Sequence, residues 1–164
     1  MAEYLGRDEG HTNSVTRKYP VVSGDTVYDG DFVFLSGNGV TSDAVAGERL
    51  LGTVVGGDTE DLDRGYSGSA LGDGTVEVLV NIERDARYLI KGDNVGTTLA
   101  ATHVGQYFDL VGLAGSQLVD TSSVSGTDGQ LVLIEFNPGI RGTDDTYGIY
   151  RVAQNVHSAE DATA

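Results

Sequence analysis

The sequence has no cysteine, only three histidines and no long apolar run. Without Cys the chain can form no disulfide, no thiolate nucleophile and no Cys-based zinc site. No stretch approaches the about 18 consecutive apolar residues of a membrane-spanning helix. Residues 1–20 also lack the apolar central region of a secretory signal. We therefore expect neither a membrane partner nor a secretory leader.

Basic residues are scarce relative to acidic ones. Ten Lys and Arg residues face 25 Asp and Glu residues, which gives a net charge of -15. Seventeen of the acids are Asp, whereas only two of the bases are Lys. Such a surface is typical of proteins from high-salt cytoplasms, where molar salt shortens the Debye length to about 3 Å and screens self-repulsion. We expect a halophilic source, with an ordinary acidic protein as the alternative.

The few basic residues are not spread evenly. Six of the ten lie in residues 1–18 and 74–91, and each of these two segments has a net charge of zero. Phosphate binding needs clustered bases, so we expect no nucleic-acid partner. On a chain this acidic, the two neutral segments are candidate places to contact another acidic protein.

Glycine is abundant, at 24 of 164 residues, about twice its usual share. Turn dipeptides such as Asp29-Gly30 and Asp128-Gly129 separate short β-branched and aromatic runs, which predict hairpins. The predicted strands are 26–28, 31–36, 49–55, 75–82, 86–91, 106–113, 116–119, 130–137 and 147–153. Residues 75–82 alternate, with apolar side chains on one face and Glu77 and Asn81 on the other. The fold class is all-β, a small β-barrel or β-sandwich of short antiparallel strands with an extended N-terminal arm.

The composition changes along the chain. Residues 1–20 are polar and end at Pro20, which favours extended structure before it. The predicted organisation is an extended arm (1–20), a β-barrel hairpin region (21–57), an acidic Gly-rich loop (58–74), the rest of the barrel or sandwich (75–156) and a flexible tail (157–164).

No motif in the sequence indicates catalysis. The stretch "GYSGSALG" (65–72) lacks the G-x-S-x-G pattern of a nucleophile elbow, and a Ser-His-Asp set can be named in any chain this rich in Ser and Asp. The stretch "KGDNVGTT" (91–98) lacks the Gly-Lys-Ser/Thr ending of a phosphate loop. We expect no enzymatic activity and no cofactor.

One acidic cluster resembles a cation site superficially. It consists of four carboxylates, at Asp58, Glu60, Asp61 and Asp63. An EF-hand loop needs oxygen ligands at positions 1, 3 and 5, and position 5 here is Leu62. The cluster is therefore a solvated acidic loop by default, with weak cation binding as the alternative.

The stretch "SGDTVYDGDFVFLSGNGVTSDAVAGERLLGTVVGG" (23–57) resembles the small β-barrel of capsid decoration (cement) proteins of tailed viruses. The stretches "ARYLIKGDNVGTTLAATHVGQYFDLVG" (86–112) and "GTDDTYGIYRVAQ" (142–154) are similar to later parts of the same family. The resemblance covers most of 21–155, but not the arm or the acidic loop.

The resemblance implies a structural virion protein on the outer capsid surface, assembled in the host cytoplasm. It would stabilise the shell by bridging subunits of the major capsid protein and would form a homotrimer, or alternatively a pentamer. With the charge pattern, it implies a tailed virus of salt-loving archaea. The alternatives are a capsid turret or host-surface-binding β-domain, or a glycan-binding or cation-binding cell-surface module.

The arm is the predicted docking element, because it is neutral, extended and free to add a strand to a neighbour's sheet. The segment 82–91 is the alternative docking face. The predicted partner-binding residues are Tyr4, Leu5, Arg7, Arg17, Lys18, Tyr19, Arg84 and Arg87.

Overall fold

The structure is a computed structural model of the 164-residue chain. It describes residues 2–7, 15–37, 39–42, 46–57, 65–68, 76–83, 85–142 and 146–153.

The described residues form thirteen β-strands and one short 3-10 helix, and they contain no α-helix. The strands are β1 (Glu3–Arg7), β2 (Thr16–Pro20), β3 (Thr26–Val27), β4 (Phe32–Ser36), β5 (Gly39–Thr41), β6 (Leu50–Gly57), β7 (Tyr66–Ser67), β8 (Glu77–Asn81), β9 (Ala86–Lys91), β10 (Tyr107–Val111), β11 (Leu118–Ser125), β12 (Leu131–Phe136) and β13 (Tyr147–Val152). The 3-10 helix is Ala101–His103. Every pair of neighbouring strands runs antiparallel, so the predicted all-β fold class is confirmed.

A five-stranded sheet with the order β2-β8-β6-β4-β5 builds the first half of the fold. Val21, just after β2, forms a bridge with Val40 of β5, which joins the two edges of the sheet. The sheet therefore curls into a barrel-like unit. Its interior is an apolar cluster to which β8 contributes Val78 and Val80, as the alternating pattern predicts. The two-stranded β3–β7 ribbon adds Val27 and Tyr66 to this cluster.

A six-stranded sheet with the order β1-β9-β13-β12-β10-β11 builds the second half. Gly92, just after β9, bridges to Val119 of β11, so this sheet also curls toward closure. Its inner face holds the larger apolar cluster, which includes the buried rings of Tyr88, Phe108 and Tyr150.

Strand β4 connects the two halves because both of its faces are buried. Val33 points into the first cluster, whereas Phe32 and Phe34 point into the second. The ring of Phe32 lies 5.0 Å from that of Tyr88, measured between centroids, in an edge-on arrangement. A strand segment buried on both faces needs a continuous apolar run, which "FVF" (32–34) supplies, whereas Leu35 is exposed.

Buried polar side chains also fix the two halves to each other. Gln117, which is 1% exposed, accepts a 2.7 Å hydrogen bond from the Phe32 amide and donates to the carbonyl oxygens of Phe32 and Ser42. Both carboxylate oxygens of Asp31 accept from the Gly115 amide at 2.9 Å. Burial raises the pKa of Asp31, although hydrogen bonds from the Tyr28 and Gly115 amides oppose the rise.

The described parts of the predicted arm, residues 2–7 and 15–20, are extended, and both pair with strands of the same chain. Strand β1 pairs with β9, and β2 pairs with β8 of the same chain. Ala2 is 8% exposed and belongs to the larger apolar cluster. Each of these strands therefore pairs on one side within the chain and lies at the edge of its sheet, and the docking role of these residues stays a prediction.

The predicted divisions at 21–57 and 75–156 differ from the grouping of the strands. Strand β8 lies in the same sheet as β4 to β6, and β1 lies in the sheet of β9 to β13. Within the predicted loop 58–74, the described residues 65–68 include β7, and Tyr66 is 1% exposed. The predicted tail 157–164 lies outside the described residues.

Candidate partner-binding surface

The two segments predicted as alternative docking elements lie side by side. Strand β1 runs antiparallel to β9 and ends with Arg7 opposite Ala86. Strand β2 runs antiparallel to β8 and begins with Thr16 opposite Asn81. The carbonyl oxygen of Val15 accepts a 2.9 Å hydrogen bond from the amide of residue 82 in the β8–β9 connection. Both neutral segments of the sequence therefore belong to one region around β8 and β9.

The predicted partner-binding residues are distributed over this region. Tyr4, Leu5 and Arg7 lie on β1, Arg17, Lys18 and Tyr19 on β2, and Arg87 on β9. Arg84 lies outside the described residues.

Tyr4 anchors β1 to its own chain. Its ring lies 5.9 Å from that of Tyr88, and its hydroxyl donates a 2.9 Å hydrogen bond to Glu83 Oε2. Glu83 is 5% exposed, so this bond satisfies a buried carboxylate oxygen. Burial raises the pKa of Tyr88 to about 12, with a smaller opposing effect from the hydroxyl of Thr53. Tyr4 remains 38% exposed, and its phenol oxygen is engaged within the chain.

Strand β2 has the features of a protected sheet edge. Arg17 is exposed, and Lys18 Nζ lies 3.8 Å from Glu77 Oε2 in an exposed ion pair. Pro20 has no amide hydrogen to donate to a further strand. Lysine and proline on an edge strand disfavour pairing with another chain. Tyr19 packs against the first apolar cluster. These features disfavour strand addition at β2 and leave its side chains as the means of contact.

Basic residues are concentrated on this side of the fold. Eight of the ten lie in the described ranges, and seven of those eight are on β1, β2, β9, β13 or the turn before β13: Arg7, Arg17, Lys18, Arg87, Lys91, Arg141 and Arg151. The eighth, Arg49, is exposed just before β6. Strands β10 and β11 carry Asp109 and Asp120 and no base. Among the described residues, the basic side chains are therefore segregated to these elements.

The prediction from the sequence did not include the basic residues next to Tyr147. Lys91 Nζ and the guanidinium carbon of Arg141 each lie 5.9 Å from the centre of the Tyr147 ring. Arg141 Nη2 also contacts Glu3 Oε2 of β1 at 2.7 Å. No pattern within β9 or β13 alone identifies this group, because its members come together only when the two strands pair.

The four candidate cation ligands, Asp58, Glu60, Asp61 and Asp63, lie outside the described residues. In the part of the chain that the structure describes, no three His, Asp or Glu side chains are grouped as a metal site would require. Within the same part, no helix has the length and apolar character needed to span a membrane.

Comparison with protein-family models, curated proteins and solved structures gave no match to this chain. The functional inference therefore depends on the geometry and charge of the chain itself and on the sequence resemblance described above.

Proposed function

We propose that this chain is a structural virion protein that decorates the outer surface of the capsid of a tailed virus of salt-loving archaea. It stabilises the shell by bridging neighbouring subunits of the major capsid protein. The stretch 23–57, which resembles the barrel of decoration proteins, contributes β3 to β6 of the five-stranded unit and its ribbon. Two small units joined through β4 and through buried hydrogen bonds make a stiff block, which suits a mechanical role.

The observation that carries the proposal is the segregation of charge. A protein with a net charge of -15 repels other acidic proteins unless it presents a surface where the sign is reversed or neutral. The region formed by β1, β2, β9, β13 and the turn before β13 is the candidate for such a surface, since it holds seven of the eight described bases. A carboxylate-rich capsid subunit is complementary to it.

The chain would act by adding contacts across the seams between capsid subunits. Each standard interface buries roughly 800 Å² per partner, and a bridge across a seam opposes the opening that packaged DNA favours. A homotrimer at threefold positions repeats the contact and raises avidity, and a pentamer at fivefold positions would do so by the same means.

Quantitative mass spectrometry of purified particles tests this function. We expect the chain at hundreds of copies per particle, in a fixed ratio to the major capsid protein. A chain that is found in infected cells but not in particles would contradict the proposal. A few copies per particle would favour a turret or host-binding role instead.

A further inference from the structure

The outer face of the six-stranded sheet is the part of the basic region with the most regular geometry. Tyr88 and Ile90 of β9 point into the larger apolar cluster, as do Tyr150 and Val152 of β13. Because side chains alternate along a strand, the residues between them point to the opposite, outer face.

Strand pairing arranges these outer residues in rows. Arg87 is opposite Arg151, Leu89 is opposite Ile149, and Lys91 is opposite Tyr147. On the far side of β13, Arg151 is opposite Val132. The face thus carries the apolar pair Leu89 and Ile149 between a row with two bases and a row with one, and Glu3 and Glu135 flank the apolar pair.

The two side chains of the apolar pair are buried beneath the charged groups of this face. Leu89 is 1% exposed and Ile149 is 7% exposed, although neither belongs to the interior clusters. Lys91 is exposed, and Arg151 and Tyr147 are half-buried. The charged groups therefore project from a sheet whose backbone is held by pairing on both sides, which preorganises them for binding.

The charge and residue types of the face indicate its partner. Among the described residues, and including Arg141 beside Tyr147, it has four bases against Glu3 and Glu135, in a chain of net charge -15. Arginine and tyrosine are enriched at protein interfaces, and arginine binds carboxylates through paired hydrogen bonds. A nucleic acid fits less well, because its phosphates would meet the acidic remainder of the molecule.

We infer that this outer face, with Lys91, Tyr147 and Arg151 at its centre, docks onto a carboxylate-rich protein surface. The inference depends on the proposed function for the identity of that surface, an acidic area of the major capsid protein. It differs from docking through the N-terminal strands, because the sheet face and not the edge of β1 or β2 makes the contact.

The test is co-sedimentation of the purified full-length chain with particles from which the chain has been removed. The variants are Arg151→Glu and Lys91→Glu, with Arg49→Glu as the matched control because it makes the same charge change away from the face. Circular dichroism and thermal unfolding verify that each variant is folded. We expect both face variants to weaken binding at least about tenfold and Arg49→Glu to change it less than about twofold.

The alternatives give distinct outcomes. If wild type binds and both face variants bind equally well, the face is not the docking surface, although the proposed function stands. Loss of binding only in the double variant Arg17→Glu with Lys18→Glu would assign docking to β2. If the wild-type chain does not bind the particles, the proposed function fails and this inference with it. If wild type binds labelled double-stranded DNA and Arg151→Glu does not, the partner class is wrong.

Discussion

Gln117 joins the two halves of the fold with a single side chain. Its amide makes hydrogen bonds to Phe32 N, Phe32 O and Ser42 O, and it is almost fully buried. Replacement by alanine leaves these backbone groups without partners, each of which costs about 1–3 kcal/mol when buried. We expect Gln117→Ala to lower the free energy of unfolding by about 2–4 kcal/mol in urea denaturation.

The matched control for Gln117 is Gln106→Ala, since Gln106 is half-buried and its backbone makes the hydrogen bonds that hold it. We expect this control to cost less than about 1 kcal/mol. Equal losses in the two variants would contradict the role assigned to Gln117.

Asp93 makes the free energy of unfolding depend on pH in the acid range. Burial alone would raise its pKa, but hydrogen bonds from the Thr121 amide and hydroxyl and from the Val95 amide outweigh burial, and the pKa is lowered. A lowered pKa in the folded state means that the unfolded chain binds the proton more tightly. The stabilisation is therefore present above the unfolded pKa of about 3.9 and is lost as the pH falls through the folded value.

Asp93→Asn tests this dependence, because it removes the charge and keeps an oxygen that can accept hydrogen bonds. We expect the variant to be less stable than wild type at neutral pH and the difference to shrink as the pH falls below about 4. The measurement is urea denaturation of both proteins across that range. A stability difference that is constant with pH would contradict the account.

At the scale of single elements, β6 and β8 approach each other closely at one glycine. A Cβ placed on Gly52 would overlap the carbonyl oxygen of Asn81 on β8, so the two atoms could not both keep their positions. On the same strand, a Cβ on Gly56 would lie 3.9 Å from its nearest neighbour, Leu79 Cδ1, which is an ordinary contact. The two glycines therefore lie on the same strand but differ in the room that each leaves for a side chain.

We expect Gly52→Ala to destabilise the fold by about 3 kcal/mol or more, because β6 and β8 must separate. Gly56→Ala should change stability by less than about 1 kcal/mol. Thermal unfolding of both variants measures this, and similar midpoints for the two would mean that the strands do not pack as described.

The sequence predicted nine strands, and each overlaps an observed strand because apolar runs between turns carry a clear signal, although the predicted strand 116–119 covers only the first two residues of β11. Strands β1 and β2 were predicted only as an extended arm, and β5 and β7 were not predicted. These four are short or polar, so their conformation depends on pairing with strands that are distant in sequence. Local pattern cannot reveal that dependence.

Two details of the elements show why pattern alone was insufficient. Asn81 was assigned to the polar face of its strand, yet it is 1% exposed and its Oδ1 accepts from the Glu83 amide. Alternation separates the two faces of a strand, but it does not show whether the polar face is exposed to solvent or buried. In the turn dipeptides, Gly30 has the expected positive φ of 85°, whereas Gly129 is required because a Cβ would lie 2.7 Å from the amide nitrogen of Phe108.

The candidate site was predicted in part. Both neutral segments were identified from charge, and the structure brings them together around β8 and β9. The sequence did not identify the group of Lys91, Arg141 and Tyr147, because its members come together only when β9 pairs with β13.

At the scale of the whole molecule, the net charge of -15 makes stability depend on salt. Raising potassium chloride from about 0.1 M to about 1 M shortens the Debye length from about 10 Å to about 3 Å and screens repulsion among the acids. We expect the unfolding midpoint to rise by about 5 °C or more over this range. Differential scanning calorimetry measures it, and a constant or falling midpoint would contradict the salt-adapted interpretation.

Deletion of the N-terminal strands is not a suitable test of docking. Deleting residues 2–18 would remove β1 and most of β2 from their sheets, so loss of binding would not separate docking from folding. Charge-reversing substitutions at exposed side chains avoid this problem.

The central claim is that the chain reinforces a shell by bridging its subunits. The most direct measurement is the temperature at which particles release their DNA, followed with a DNA-binding dye, for particles with and without the chain. We predict release at a higher temperature when the chain is bound, and an intermediate temperature at partial occupancy. Full occupancy without any change in the release temperature would contradict the account.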